Sequence, residues 1–405
     1  MAKIKKIQAR QVLDSRGDPT IAVEINGCTG IAPSGASTCA NEALELRDGG
    51  KKYGGKGVTK AVSIANNVIA RKVKGKNFKS IREFDDLLIE LDATKNKSKL
   101  GGNTTTACSI AFAKALAADN EIEPFELLRS EFKARKRGMP MPCANMINGG
   151  KHASNDLPIQ EHMLMPKTSS FAEAARCCSE VFHELKKGLV AAYGKTAANI
   201  GDEGGFTPPL TDSRVALELI QKSAVESGWG KKTRLGIDAA ATSFYNEKTR
   251  AYAINNRAVT AQSLASYYLQ LAAGLPLIYL EDPFFESDSK NFSLLTSRFG
   301  GFVIADDLTV TNPALVSKAV NEKAANGLIV KINQVGTVSE AADAALIARK
   351  AGWVLVASHR SGETEDPFLA DFAVGLGCEY LKLGAPNRSE RLIKYNRVLE
   401  IEGLK

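Results

Sequence analysis

A chain of 405 residues, 44% apolar and 24% charged, is long enough for two domains, one of them large, and is ordinary for a globular protein. It has no apolar run near the length of a membrane span and no secretory segment after the basic start MAKIKK, so a cytoplasmic protein without membrane partners is expected. Of the net charge of +8, residues 1–135 contribute +7 (23 basic against 16 acidic groups) without aromatic–basic interleaving, and the seven cysteines form no CxxC pair, which argues against nucleic-acid binding, a disulfide framework and a zinc site.

Residues 3–32 alternate apolar and polar around the turn signals Asp14-Ser15-Arg16-Gly17-Asp18-Pro19 and Asn26-Gly27, predicting an antiparallel meander of about three strands. A small polar loop follows at 33–39, then helical periodicity at about 58–74, 80–92, 104–118 and 123–134. These make an α+β domain over 1–135, ending at the basic Lys133–Gly138 boundary. Gly54-Gly55-Lys56-Gly57 lacks the spacing and the preceding strand of a phosphate loop. The second domain, 136–405, opens with short strands near 142–147 and 159–165 and a long helix at about 170–193. Strand and helix then alternate, with helices near 212–227, 260–272, 312–324, 338–351, 367–376 and 388–400.

One pattern organises this half. Short apolar runs end, one after another, on a charged residue: Asp238, Glu281-Asp282, Asp306-Asp307, Lys331, then Ser358-His359-Arg360-Ser361, and Lys382. From Asp238 to Glu281, Asp306, Lys331, Arg360 and Lys382 the steps are 43, 25, 25, 29 and 22 residues. Most of these fit one strand, one crossover helix and two loops. Parallel strands closed into a barrel place their C-terminal ends on one face, where active sites gather. Three carboxylates, two lysines and an arginine are therefore expected at a single mouth.

Hard oxygens from Asp238, Glu281 and Asp306 suit Mg²⁺, with Asp282 and Asp307 in supporting or capping roles. Lys331, placed where an apolar strand stops, is expected to have a pKa lowered by desolvation toward that of a working base. A counter-ion role for Lys331 and Lys382, or a Schiff-base lysine, is the alternative. Arg360-Ser361 offers a fork and a hydroxyl for a phosphate or carboxylate. Glu203 lies in Gly201-Asp202-Glu203-Gly204-Gly205, which reads equally as a tight turn. His152 sits in a polar lid-like loop, whereas His162 and His183 lie within strand and helix patterns and read as structural.

These stretches together resemble the enolase family. The motifs are LDSRGDPT (13–20), SGAST (34–38), ELRDG (45–49), NGGKHASN (148–155), QEHMLMP (160–166), GDEGGF (201–206), LEDPF (280–284), ADDLTVTNP (305–313), KINQVGT (331–337), SHRSGETED (358–366) and KLGAP (382–386), in one order across the chain. The resemblance implies an α/β fold, an atypical eight-stranded α/β (TIM-like) barrel with an N-terminal α+β capping domain. It implies reversible dehydration of 2-phosphoglycerate to phosphoenolpyruvate, in glycolysis and gluconeogenesis, with two Mg²⁺ per site and a homodimer or octamer. By motif, Asp238, Glu281 and Asp306 would hold one Mg²⁺ and Ser37 would help hold the second. Lys331 would take the C2 proton, and Glu203 would assist loss of the C3 hydroxyl. Lys382, Arg360, Ser361, His152, Gln160 and Glu161 would contact substrate. Cys39, Gly50 and Ser243 depart from the family pattern, and none of these removes a catalytic group. Another dehydratase of the superfamily would share the metal ligands without needing Glu203 or Arg360-Ser361, and a scaffold that kept the fold would need no turnover.

Overall fold

The computed structural model describes residues 1–35, 41–255 and 257–404, and of His152 the backbone alone. Ser37 and Cys39 lie outside the described residues, as does the His152 side chain. The expected meander forms from Ile7–Leu13, Pro19–Ile25 and Cys28–Ile31, paired antiparallel. Asn26 and Gly27 close its second hairpin at φ 50° and 89°, the left-handed pair that a two-residue turn needs. Helix Gly102–Asp119 packs on this sheet almost backbone to backbone. A Cβ at Gly30 would stand 2.4 Å from Ala107 O and Ala111 N, so the small residues of that helix and this glycine set the separation. Helices Ile81–Asp92 and Pro124–Glu131 complete the layer. The helix expected at 58–74 is interrupted by a π segment, Ile64–Ile69. There the Asn66 side chain bonds Ala9 N and O at 2.7 and 3.0 Å, stitching the helix to a strand edge.

The barrel strands are Met141–Asn148 (β1), Glu161–Pro166 (β2), Thr233–Asp238 (β3), Leu277–Glu281 (β4), Phe302–Ala305 (β5), Gly327–Val330 (β6), Val354–Ser358 (β7) and Tyr380–Lys382 (β8), closed in that order. Apolar side chains including Met163, Tyr279, Ile304, Ile329 and Val356 fill the interior, so it is a packed core and not a pore. The six strands that carry the charged ends, β3 to β8, run parallel as the pattern requires, whereas β2 runs antiparallel to both β1 and β3. That reversal matters chemically. Glu161 starts β2 in register with Asp238, and so reaches the mouth from the N-terminal end of its strand.

Helices Phe171–Tyr193, Ser213–Glu226, Ala261–Gly274, Pro313–Asn321, Val338–Lys350, Phe368–Gly375 and Ser389–Gly403 lie within a few residues of expectation. The long step from Asp238 to Glu281 holds an unexpected three-stranded meander, Tyr245–Asn246, Ala251–Ile254 and Arg257–Val259. Helix Ser289–Thr296 was also not expected. The capping layer is pinned to the barrel by Lys97–Glu340 at 2.8 Å, Arg82–Asp343 at 2.6 Å and the fully buried Asp85, which accepts from Ser339 N at 2.9 Å. Among the described residues no helix is long and apolar enough to cross a membrane.

Candidate active site

Strand ends assemble the mouth as the charge pattern requires. Asp238, Asp306, Lys331, Arg360, Ser361 and Lys382 line one cavity together with Gln160, Glu161 and Glu203. Glu281, fully buried, lies beneath them. The Lys382 ammonium is the hub, with Asp238 and Glu281 each at 2.8 Å and Glu161 at 2.9 Å. Burial pulls this lysine down, but the three carboxylates outweigh it and hold its pKa well above the ordinary value. One ammonium cannot balance three buried acids. Burial, and then the Asp238 charge, pushes Glu281 up to about 8; burial, and then Glu203, pushes Glu161 well up. A donor set of hard oxygens with surplus negative charge fits a divalent cation such as Mg²⁺.

Lys331 departs from expectation. Desolvation acts to lower its pKa, but the Asp306 carboxylate in direct contact raises it, Glu281 adds to that, and the net direction is upward. Asp306 is correspondingly held below the usual carboxylate range against the opposing effect of burial. Both lysines make counter-ion contacts with these acids, which is the alternative the sequence left open. Asp306 also accepts from Gln334 Nε2 at 3.0 Å.

The carboxylates whose ligand atoms lie within 4.8 Å of one another, among the described residues, are Asp282, Asp306 and Asp307. Asp238 and Glu281 are instead drawn to Lys382. Asp282 accepts from the backbone N–H of Asp306 at 3.0 Å and of Asp307 at 2.7 Å. Both of its oxygens thus hold the β5 loop, in keeping with the supporting role expected of it.

The glycine-rich stretch forms the tight turn, and it places Glu203 in the cavity wall. Gly204 N donates to Gly201 O at 3.1 Å, with φ +84° at Gly204, a tight turn that swings Glu203 inward. Its Oε2 accepts from Asn145 Nδ2 at 3.0 Å, and Oε1 stands 3.5 Å from His359 Nε2. Arg360 is buried, and both terminal nitrogens donate to Glu42 Oε2, at 3.1 and 3.2 Å. Ser361 Oγ accepts from Arg16 Nη1 at 3.3 Å. Gln160 Nε2 stands 3.4 Å from Asp238 Oδ2. His162 is structural as expected: its Nδ1 is 3.1 Å from Ile147 O, and burial pushes its pKa down to about 4. His183 is exposed on its helix.

Sequence reasoning missed Glu42, Asn145, Gln334 and His359. Gln334 and His359 stood inside quoted motifs, Gln334 three residues beyond Lys331 and His359 one residue before Arg360. Nothing local marked Glu42 or Asn145, whose partners are 318 and 58 residues away.

The family model described as "Enolase, N-terminal domain" matches residues 4–128, and that described as "Enolase, C-terminal TIM barrel domain" matches residues 136–404. The chain belongs to the enolase family. It is 46% identical to the enolase of Methanocaldococcus jannaschii over 99% of this chain and 95% of that protein. It is 46% identical to the Aeropyrum pernix enolase over 99% and 94% of the two chains, and 43% identical to enolase 1 of Entamoeba histolytica over 98% and 95%. Enolases are carbon–oxygen lyases that use a divalent metal, and this chain is an enzyme of that class.

Proposed function

We propose that this mouth converts 2-phosphoglycerate reversibly to phosphoenolpyruvate and water, as a cytoplasmic homo-oligomer serving glycolysis and gluconeogenesis. The observation that carries the reading is one cavity lined by a lysine, an inward-turned glutamate, buried hard-oxygen acids and a buried arginine–serine pair. Asp238, Glu281 and Asp306 would hold one Mg²⁺, and Ser37 would help hold a second. The bound ions supply positive charge where the substrate carboxylate becomes a doubly charged enediolate.

Lys331 takes the C2 proton, and the electron pair moves into the carboxylate. Glu203 then gives a proton to the C3 hydroxyl, which leaves as water while the C2–C3 double bond forms. Lys331 can act as a base only when Asp306 no longer neutralises its ammonium, so its ordinary partner must be drawn elsewhere during turnover. Lys382 faces the substrate carboxylate; Arg360 and Ser361 take the phosphate, for which a planar fork is well shaped. Gln160, Glu161 and His152 close on the leaving-group side.

Even at an effective dielectric of about 20, one unit charge pair at 4 Å contributes roughly 4 kcal/mol, so several cations aimed at the developing charge account for a large part of the acceleration. Absorbance of phosphoenolpyruvate formed from 2-phosphoglycerate, with and without Mg²⁺, tests the reading. Metal-dependent product is expected. No product under either condition would favour the scaffold, and turnover of a sugar acid instead would favour another dehydratase.

A further inference from the structure

The last helix, Ser389–Gly403, sends Arg391 beneath the mouth, where it is 0% exposed. An arginine carries five N–H donors in a planar fork and no acceptor. Four of them have short partners here. Nη1 donates to His359 Nδ1 at 2.7 Å and to the Arg360 carbonyl at 2.6 Å. Nη2 donates to the carbonyls of Asp202 at 3.1 Å and Ser361 at 2.8 Å. The fifth, Nε, has no hydrogen-bond partner among the described residues, and the Glu390 carboxylate stands 3.5 Å away. One fully buried cation thus touches the turn that carries Glu203, the backbone that carries Arg360 and Ser361, and the imidazole between them.

Because a guanidinium cannot accept, the lone pair in the imidazole contact must belong to His359 Nδ1. The single proton of a neutral His359 then sits on Nε2, a buried atom that has no hydrogen-bond partner among the described residues and stands 3.5 Å from Glu203 Oε1. Neutrality is favoured: burial lowers the His359 pKa, Glu203 opposes it, and Arg391, Lys382 and Lys394 add to the lowering. Among the described residues, the charged groups that act on the ring include Glu203 from the glycine-rich turn, Lys382 from β8, and Arg391 and Lys394 from the last helix. An N–H aimed at Glu203 stabilises the carboxylate left once its proton has gone to the departing hydroxyl. A lone pair in that place would oppose it.

We propose that Arg391, which does not line the cavity, is a positioning residue: it holds His359 as the Nε2–H tautomer on the side of the ring that faces Glu203 and ties the Asp202–Glu203 turn to the Arg360–Ser361 backbone. This rests on the roles given above to Glu203 and to the Arg360–Ser361 pair. Lysine, with three donors on one point charge, cannot replace the contacts.

The test is ¹⁵N NMR of the full chain labelled at its four histidines, with the His359 signal identified by its loss in His359→Gln. The wild-type signal is expected to show the Nε2–H tautomer and no titration between about pH 5 and 8. His162, whose Nδ1 donates to Ile147 O, gives the opposite tautomer as an internal reference. In Arg391→Lys, His359 is expected to show mixed tautomers or to titrate. Its kcat should fall about 100-fold with KM changed less than about threefold, while His162 is unmoved. A wild-type proton on Nδ1 overturns the proposal without any variant. An Arg391→Lys enzyme with an unchanged His359 signal, or with an altered signal and unchanged kcat, overturns it as well. The tautomer is read without turnover. A locked His359 beside a Glu203→Gln enzyme that still dehydrates would therefore count against the role of Glu203 alone.

Discussion

Lys331 and Lys382 stand at the ends of β6 and β8, with β7 between them, yet their surroundings predict different consequences for their loss. Asp306, the partner of Lys331, keeps Gln334 Nε2 at 3.0 Å when the lysine is removed. Lys331→Ala should therefore unfold at nearly the wild-type temperature while kcat drops by about 10²–10⁴. Lys382→Ala leaves Asp238, Glu281 and Glu161 facing one another without the ammonium. Breaking a buried ion cluster in this way costs about 3–5 kcal/mol, to be read as a lower urea midpoint in metal-free protein. Equal melting of the two variants would contradict this division. The sequence placed both cations correctly, because an apolar run that stops at a charge is a local signal. The direction of the Lys331 shift was hidden, because it depends on which acid a 25-residue loop returns to the same rim.

Between the capping layer and the barrel, Asp85 on helix Ile81–Asp92 is packed against Ser339 at the start of helix Val338–Lys350. Burial pushes its pKa from 3.8 up to about 7. The folded state then holds this proton more tightly than the unfolded chain, so the associated stability is complete below about pH 4 and is lost as pH rises to about 7. That difference in proton affinity corresponds to about 4 kcal/mol. Asp85→Asn should erase that slope: its thermal midpoint gains on wild type between pH 4 and 7 and stays ahead at pH 8. Parallel curves for the two proteins would remove Asp85 as the titrating group. Elements of this kind were legible where periodicity was long, as in Phe171–Tyr193. Helix Ser289–Thr296 was not, since eight residues carry little period. The sense of β2 was not either, because side-chain alternation is the same in both directions.

At the scale of the whole molecule, closure of eight strands into a ring is what turns a list of distant charges into one site. Those charges were readable because each of the six strands from β3 to β8 ends on one or within two residues of one. Glu42 and Arg391 were not, since each enters from outside the barrel: Glu42 from the segment before the capping helices, Arg391 from the last helix. The central claim is that Lys331 breaks the C2–H bond in the same mouth where Glu203 acts on the C3 hydroxyl. Exchange of the C2 hydrogen of 2-phosphoglycerate with deuterated water, followed by NMR alongside phosphoenolpyruvate formation, separates the two steps. Glu203→Gln is expected to keep C2 exchange while losing product, and Lys331→Ala to lose both. Persistent C2 exchange in Lys331→Ala would contradict the account.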